Sequence, residues 1–475
     1  MTPEEFRRAG HALVDWIADY RASIENRPVR AQTQPDDVRK ALPNEPPDGG
    51  DSIDALLQDL DAHIVPHLTQ VQHPMHFGWF PSNAALASVL GDLASGGVGA
   101  LGISWESAPA LTELEQVVCD WMRQLLGLSD AWQGCIQDTA STACTTALIA
   151  ARERSSDYAL DRGGMQAVAQ PLMVYTTAEA HSSVIKSALI AGFGRDCIRK
   201  IEVDSQQFAM RPDRLRAALE ADVAAGRVPC AVIGSVGTTG VTAIDPIKGL
   251  AHLANEFGCW FHVDAAMAGS AMLLRECRWM WSGVEESHSI SLNPHKWMGT
   301  ILDCSLLYVR EPELLTRVYA ATPAYLRSRA DGAVVQYRDW GIPLGRRFRA
   351  LKLWFHLRID GPDAIRARLR EDLELAQWLR DQASRTPDWE LAAPTPLQTV
   401  CMVHCPPELV DNAAALNAHT AAWVEQINAS GEAFLSTTEL NGRLIVRVSI
   451  GVEATAKEHV VALWETMQRV AVSNR

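Results

Sequence analysis

Between residues 172 and 308 the chain alternates short apolar runs with amphipathic segments, and this alternation limits its fold more than any other feature. Strands that alternate with helices form a mostly parallel sheet covered by helices. Ligands of such sheets bind beyond the carboxyl ends of the strands. The apolar runs predict strands at 172–176, 198–203, 230–236 and 260–264 and near Ser289 and Leu306, and the segments between them predict helices that include 212–225 and 246–257.

Two of these strand ends carry an acid and a lysine. The run Trp260–Asp264 ends in a carboxylate, and the next predicted strand leads into Asn293-Pro294-His295-Lys296-Trp297. A lysine amine can hold an aldehyde covalently, and a carboxylate keeps a neighbouring pyridine nitrogen protonated. Together they meet the needs of an enzyme that uses pyridoxal phosphate (PLP). Taken singly, each residue fits a structural role better: the acid as a turn residue after a buried strand, and the lysine as a surface residue.

The two motifs, His-Val-Asp-Ala-Ala-Met-Ala-Gly from His262 and Asn-Pro-His-Lys-Trp from Asn293, resemble those of the group II PLP-dependent decarboxylases. The resemblance is close to the aromatic-L-amino-acid decarboxylase branch and extends from the first helix to about Gly451. It implies an α/β, PLP-dependent aspartate-aminotransferase-like fold (type I) and a homodimer with its active site at the subunit interface. The implied reaction converts DOPA, tyrosine, tryptophan or 5-hydroxytryptophan to the corresponding amine and CO2.

The resemblance also assigns roles around the cofactor. It places the cofactor phosphate at a turn of small residues that opens a helix, where free N–H groups favour an anion, although an ordinary helix cap would look the same. It stacks His181 and Ala266 on the two faces of the ring. The cofactor-binding residues that it implies are Thr139, Ala140, Ser141, His181, Thr239, Asp264, Ala266, Asn293, His295 and Lys296; the catalytic ones are Lys296, His181, Tyr325 and Asp264.

An aromatic segment predicts the kind of substrate. Trp79-Phe80-Pro81-Ser82 resembles the family's substrate wall, and an aromatic wall suits an aromatic substrate; plain core aromatics are the alternative. The resemblance adds His181 and two residues that would reach across the dimer, Leu101 and Ile103. An acidic substrate, glutamate or cysteine sulfinate, stays open because Arg327 and Arg346 could bind it.

Residues 323–341 are polar and weakly patterned, which predicts a mobile lid. Tyr325 stands there in the Pro-x-Tyr-Leu setting in which the family carries its proton-donating tyrosine, and aldehyde-forming relatives carry phenylalanine. We therefore predict simple decarboxylation. The alternatives are an aldehyde-forming oxidative deaminase on the same fold and a catalytically inactive PLP-fold binding protein.

Composition excludes several other classes. The net charge of −14 argues against nucleic acid or an anionic membrane as partner, and no apolar stretch is long enough to span a bilayer. The scattered cysteines and the charged N-terminus predict a reduced, cytoplasmic protein. His63, His67, His73 and His76 lack a completing carboxylate or thiol, so we expect no metal. The G-x-G-x-x-G that begins at Gly97 follows a helical segment and predicts no dinucleotide site.

Three domains are predicted: an N-terminal helical dimerisation arm at 1–85, a large PLP-binding domain at 86–355 and a small C-terminal α/β domain at 356–475. The arm begins with a capping box at Thr2 and Glu5. Its apolar stripe, which includes Phe6 and Val14, could pack on its own domain. The resemblance implies instead that it lies across a partner subunit.

Overall fold

The computed structural model describes residues 1–320, 330 and 332–474. These residues form two compact units. The terminal unit contains residues 1–81, 375–392 and 400–475, and the sheet unit contains 82–374 and 393–399. The predicted boundaries after residues 85 and 355 stay a prediction.

The terminal unit begins with three helices: α1 (Pro3–Ala22), α2 (Asp37–Ala41) and α3 (Ile53–Asp59). The capping box predicted at α1 is present, since the Glu5 N–H donates to Thr2 Oγ1 at 3.2 Å and the Thr2 N–H donates to the Glu5 carboxylate at 2.6 Å. No residue of α1 is buried within this chain. Its apolar stripe is only partly covered, since Leu13 and Ile17 are half-buried and Phe6 is 60% exposed.

The sheet unit is built on seven strands in the order β1-β7-β6-β5-β4-β2-β3. Strand β7 runs antiparallel to both of its neighbours, and the other strands are parallel to one another. Every residue of β2 and β5 is buried, as expected for parallel strands covered on both faces. The strands are β1 (Gln133–Gln137), β2 (Leu172–Thr177), β3 (Ile198–Ile201), β4 (Val228–Ser235), β5 (Trp260–Asp264), β6 (Ser289–Leu292) and β7 (Ser305–Val309). The predicted mostly parallel α/β architecture is confirmed.

Eight helices of the sheet unit connect and cover these strands in the described part of the chain. Residues Gly97 and Val98 form the last turn of the first of them, so the glycine motif neither follows a strand nor opens a helix. The helices are α4 (Leu86–Val98), α5 (Pro109–Leu126), α6 (Ala140–Ser155), α7 (Ser182–Ile190), α8 (Pro212–Ala224), α9 (Ile247–Glu256), α10 (Pro312–Tyr319) and α11 (Ala350–Ile359).

The chain then passes through α12 (Pro362–Arg385) into the rest of the terminal unit. Strands β8 (Trp389–Leu391), β9 (Thr399–His404), β10 (Ser436–Leu440) and β11 (Arg443–Ser449) form a sheet in the order β10-β11-β9-β8. Helices α13 (Ala413–Ser430) and α14 (Lys457–Ser473) complete the unit. Its apolar core includes Trp423, Val446 and Leu463. In the described part of the chain, no helix combines the length and apolar character needed to cross a membrane.

Candidate active site

The carboxyl ends of the parallel strands meet at one edge of the sheet, which is where open α/β sheets bind ligands. Chemically active side chains follow five of these ends. Thr139 follows β1, His181 follows β2, Thr239 follows β4, Asp264 ends β5 and Lys296 follows β6. The fold therefore gathers at one edge residues that are far apart in the sequence.

The carboxylate of Asp264 is oriented by its own turn. Its Oδ1 atom accepts the N–H of Ala266 at 3.0 Å. Two backbone bonds fasten this turn to the end of β6: the Ala265 N–H donates to Ser291 O and the Asn293 N–H donates to Ala266 O, both at 2.9 Å. Oδ2 accepts no hydrogen bond from the described residues. One carboxylate oxygen thus fixes the side chain and the other remains for a ligand.

His262 lies two residues before the acid and is fully buried. Its Nδ1 atom pairs with Ser289 Oγ at 2.8 Å and its Nε2 atom with Ser291 Oγ at 3.3 Å. Burial lowers the pKa of this imidazole to about 4, against the attraction of Asp264. His262 is therefore neutral at pH 7 and serves as a buried support beneath the acid.

Lys296 lies in the short turn Pro294–Met298, and its own backbone departs from helical geometry with φ −105° and ψ −117°. The Lys296 N–H donates to Asn293 O at 3.0 Å. Its carbonyl oxygen accepts the Asn83 amide at 3.5 Å. Gly299, with φ 114°, ends the turn in a conformation that a side chain would strain.

A buried ion pair from α12 holds the residues directly after this lysine. Arg368 Nη2 donates to Trp297 O at 2.6 Å and to Met298 O at 2.8 Å. The Trp297 indole donates to Asp372 Oδ2 at 2.7 Å, and Asp372 also pairs with Arg368 at 3.3 Å. We call Trp297, Arg368 and Asp372 the lysine clamp. The sequence does not reveal this clamp, because an Arg and an Asp four apart on a helix indicate only an ordinary surface pair.

The charges of the site influence one another. Burial lowers the pKa of the Lys296 amine, and the negative charge of Asp264 opposes that effect. Burial likewise lowers the pKa of His181, the charge of Lys296 lowers it further and Asp264 raises it. These mutual effects place the three side chains in one electrostatic neighbourhood. A lowered lysine pKa increases the neutral, nucleophilic fraction of the amine.

His181 caps the N-terminus of α7, which begins at Ser182. The Ser183 N–H donates to His181 Nδ1 at 3.2 Å, and the Ser183 hydroxyl lies 2.7 Å from the same atom. Because Nδ1 accepts a hydrogen bond from the backbone, the proton of the neutral ring belongs on Nε2. The cap therefore fixes both the orientation and the tautomer of this imidazole.

The turn before α6 offers free N–H groups. Thr139 caps the helix, and its Oγ1 atom accepts the Thr142 N–H at 3.3 Å. The Thr139 N–H is occupied by Asp138 Oδ1 at 2.6 Å. Within the described residues, the N–H groups of Ala140 and Ser141 have no hydrogen-bond partner, which is the arrangement that binds phosphate at a helix start.

Two further observations concern the surroundings of the acid and the lysine. The charge of Asp264 contributes, after burial, to raising the pKa of Cys144 on α6 to about 12. The side-chain oxygen of Asn293 is buried and has no partner among the described residues. Free N–H donors for a phosphate, an acid for a ring nitrogen and a half-buried lysine for an aldehyde thus lie at one edge of the sheet, and this donor set fits PLP.

The other predicted cofactor residues differ in what they contact. Thr239 is half-buried in the turn after β4. His295 is buried, and its Nδ1 atom accepts the Cys304 N–H at 2.9 Å, so the ring supports the returning chain. Burial lowers the pKa of His295 to about 4, and this imidazole is neutral at pH 7.

The predicted substrate residues fall in both units. Ser82 belongs to the sheet unit, whereas Trp79, Phe80 and Pro81 belong to the terminal unit. Trp79 is exposed, adopts a positive φ of 54° and packs edge-on against Phe434 at 4.8 Å. Their substrate contacts stay a prediction. Tyr325 and Arg327 lie outside the described residues.

Leu101 and Ile103 lie on a segment that other side chains and backbone hold in place. Gly102 forms an antiparallel bridge with Arg346, and Ser107 Oγ donates to Leu101 O at 2.7 Å. Leu101 is nevertheless 62% exposed and Ile103 is half-buried. An apolar side chain presented on a fixed segment is a candidate for contact with another chain.

Arg346, one of the two arginines that left an acidic substrate open, is already paired. Its guanidinium contacts both carboxylate oxygens of Glu115, at 2.7 and 2.8 Å, and donates to Ile136 O at 2.6 Å. Both side chains of this pair are nearly fully buried. Arg346 is therefore not available to bind the side chain of an acidic substrate.

The fold and the site define a PLP-dependent enzyme with an acid, a histidine and a lysine at the sheet edge. Residues 35–404 match the family model described as "Pyridoxal-dependent decarboxylase conserved domain", and the chain belongs to this family. The resemblance stated from the sequence is confirmed.

Named relatives are similar over nearly their whole length. The chain is 39% identical to "Phenylacetaldehyde synthase" of Arabidopsis thaliana, covering 99% of this chain and 96% of the relative. It is 37% identical to "Tryptophan decarboxylase 2" of Oryza sativa subsp. japonica, covering 98% and 95%. Its structure resembles that of Oryza sativa TDC with PLP and tryptamine, with a TM-score of 0.96, 33% identity and coverage of 100% and 99%.

Proposed function

We propose that this protein is a PLP-dependent decarboxylase that converts an aromatic L-amino acid to its amine and CO2. The observation that carries the proposal is the gathering of Lys296, Asp264 and His181 at one edge of the sheet, where the pKa of the half-buried Lys296 is lowered. The relatives named above support an aromatic substrate. We further infer a cytoplasmic enzyme, which the ten free and mostly buried cysteines support.

When bound, PLP supplies a ring that accepts the electrons of the broken Cα–carboxylate bond. Asp264 would hold a proton on the ring nitrogen through its free Oδ2 atom. Lys296 would bind the cofactor aldehyde, and its neutral amine can accept and return a proton. His181 carries its proton on Nε2 and can donate a hydrogen bond to the substrate carboxylate. The capped start of α6 would hold the phosphate.

Two observations support an aromatic substrate class over an acidic one. The segment Trp79-Phe80-Pro81 is aromatic, and Arg346 is occupied by Glu115. We expect amine formation from DOPA, tyrosine, tryptophan, 5-hydroxytryptophan or phenylalanine, and at least about tenfold lower kcat/KM for glutamate and cysteine sulfinate. Chromatography of the amines checks this expectation. Faster turnover of either acidic amino acid would reject the aromatic assignment.

Aldehyde formation is the second candidate, because the chain is similar to a relative named phenylacetaldehyde synthase. The family resemblance implies that the residue at position 325 determines which of the two reactions occurs. A tyrosine hydroxyl can deliver a proton to Cα, and an enzyme that lacks it leaves a carbanion that reacts with oxygen. We therefore assign decarboxylation to this chain, which carries Tyr325.

We expect Tyr325→Phe to lose most amine formation and to gain oxygen-dependent aldehyde and peroxide, with PLP content unchanged. The phenylalanine keeps the ring and removes only the hydroxyl. Product analysis in air and under nitrogen measures the switch, and Tyr158→Phe, outside the predicted lid, is the matched control. Amine formation by Tyr325→Phe at the wild-type rate would remove the hydroxyl from the mechanism.

We also propose that the protein forms a homodimer. Helix α4 exposes Leu86, Leu90 and Leu93 on one side, and the segment after it exposes Leu101. Residues spaced by three and four positions share a helix face, so these leucines form one apolar stripe. This stripe on α4 and Leu101 is larger than single exposed apolar side chains explain. Helix α1 separately exposes Phe6 and Val14. A second copy of the chain is the proposed cover.

We expect Leu90→Asp/Leu93→Asp to shift the protein from dimer to monomer and to lower activity. Two charges in an apolar interface are costly to bury. Sedimentation velocity at assay concentration measures the shift. Val410→Asp, a matched change at another exposed apolar residue, should leave the dimer intact. A wild-type protein that is a fully active monomer would overturn the dimer.

A further inference from the structure

The sheet unit contains a cavity with a volume of about 680 Å³. It lies between helix α5, residues 273–278 and the first residues of helix α12. None of the residues assigned above to cofactor or substrate lines it. Its size falls within the range of small-molecule sites. One part of its wall is apolar, from Trp121, Leu125 and Leu357, and another part carries four guanidinium groups, from Arg275, Arg278, Arg366 and Arg370.

Two of these arginines have carboxylate partners. Arg366 pairs with Asp363 at 2.8 Å, and Arg370 pairs with Glu276 at 2.6 Å. The side chain of Asp363 is 98% exposed, so water screens its charge. Asp363 therefore compensates the positive charge of Arg366 only in part.

The other two arginines have no carboxylate within ion-pair distance among the described residues. Arg278 is fixed by backbone carbonyls instead, since its Nε donates to Met272 O at 3.1 Å and its Nη2 to Leu125 O at 2.8 Å. Burial lowers the pKa of Arg278, and the positive charges of Arg275 and Arg366 lower it further. The guanidinium groups therefore repel one another around the cavity, and an anion would relieve that repulsion.

Helix α12 adds to the positive potential. Its first residue, Pro362, lines the cavity, and the helix is 24 residues long. The N-terminus of a long helix carries a partial positive charge that favours anions. Guanidinium groups also match the geometry of carboxylates and phosphates, to which they bind through two hydrogen bonds.

We propose that this cavity binds a small organic anion, with a carboxylate or phosphate group toward the arginines and an aromatic or apolar body against Trp121, Leu125 and Leu357. The apolar wall distinguishes this ligand from a simple inorganic ion, because burying a ring there adds the hydrophobic contribution.

The cavity is also connected to the catalytic lysine. Arg366 and Arg370 flank Arg368 on α12, and Arg368 belongs to the lysine clamp. Arg366 Nε donates to Leu273 O at 3.1 Å, at the end of the segment that leaves Asp264. A ligand that draws Arg366 toward it therefore acts on the helix that holds the lysine turn. The bound anion therefore acts as an effector that changes the rate of turnover. This effector role rests on the proposed function, whereas the binding of the anion does not.

Calorimetry on the holoenzyme tests the binding site. The probes are phenyl phosphate, 3-phenylpropionate, inorganic phosphate and phenethyl alcohol. We expect both aryl anions to bind, inorganic phosphate to bind at least about tenfold more weakly and the alcohol not to bind; sodium chloride should weaken the binding of the aryl anions. In Arg275→Gln/Arg366→Gln the affinity for phenyl phosphate should fall at least about tenfold, because a hydrogen bond to a charged group is lost. Arg195→Gln, at an exposed arginine outside the cavity, should bind as the wild type does.

Equal affinity of phenyl phosphate for wild type and Arg275→Gln/Arg366→Gln would overturn the site, since the anion would then bind elsewhere. An absence of binding by either aryl anion at low salt would also overturn it. The effector role is measured separately as amine formation at saturating phenyl phosphate. We expect kcat to change in the wild type and not in the double variant. Binding without a change in kcat would overturn the effector role. If the proposed function is wrong, the enzyme will form no amine even before an anion is added.

Discussion

Replacing Lys296 by alanine is expected to reduce turnover by at least about a thousandfold while the protein keeps its fold, because the substitution removes the amine on which the proposed chemistry depends. The turn around it should persist, since Arg368 holds the backbone carbonyls of Trp297 and Met298 and does not contact the lysine side chain in doing so. Circular dichroism and amine formation measure the two parts of this prediction. Lys186→Ala, at an exposed lysine on α7, is the matched control.

The identity of the lysine can be tested directly. Borohydride reduction of the holoenzyme, followed by peptide mapping, should place the cofactor label on Lys296. Label on any other lysine would contradict the assignment, even if Lys296→Ala were inactive.

Asp264→Asn is expected to lower kcat at least about a hundredfold, and Asp264→Glu less. An amide has the shape of the carboxylate but cannot hold a positive charge on the ring nitrogen, and uncompensated buried charge costs about 3–5 kcal/mol. The asparagine Oδ1 atom can still accept the Ala266 N–H, so the turn should not unfold. Steady-state kinetics and cofactor absorbance check the prediction, with Asp130→Asn at an exposed position as the control. A near-normal kcat for Asp264→Asn would exclude the acid from the mechanism.

Much of the sheet unit could be predicted because its signals are local. Strand β5 is a continuous apolar run that ends in Asp264, and α5 begins at Pro109 and ends before Gly127, which adopts the left-handed conformation that often ends helices. Parallel strands also place their carboxyl ends on one edge, so the gathering of His181, Asp264 and Lys296 followed from the order of the elements.

The features that the sequence analysis missed depend on long-range contacts. Strand β1 is short, contains Gly134 and shows no alternation, and its pairing with β7 supplies the evidence for it. The hydrogen bond from Trp297 to Asp372 crosses 75 positions, and the pairing of Arg346 with Glu115 crosses 231. No local pattern reports such contacts, since packing of the whole domain brings the partners together. The role of Tyr325, which lies outside the described residues, stays a prediction from the sequence.

The balance of products tests the central claim most directly. The purified holoenzyme is given an aromatic L-amino acid in an oxygen electrode, while CO2, amine, aldehyde and peroxide are quantified. Decarboxylation predicts one amine for each CO2 and no consumption of oxygen. Oxygen uptake with aldehyde and peroxide in proportion to CO2, or an absence of CO2 from every aromatic amino acid, would contradict the account.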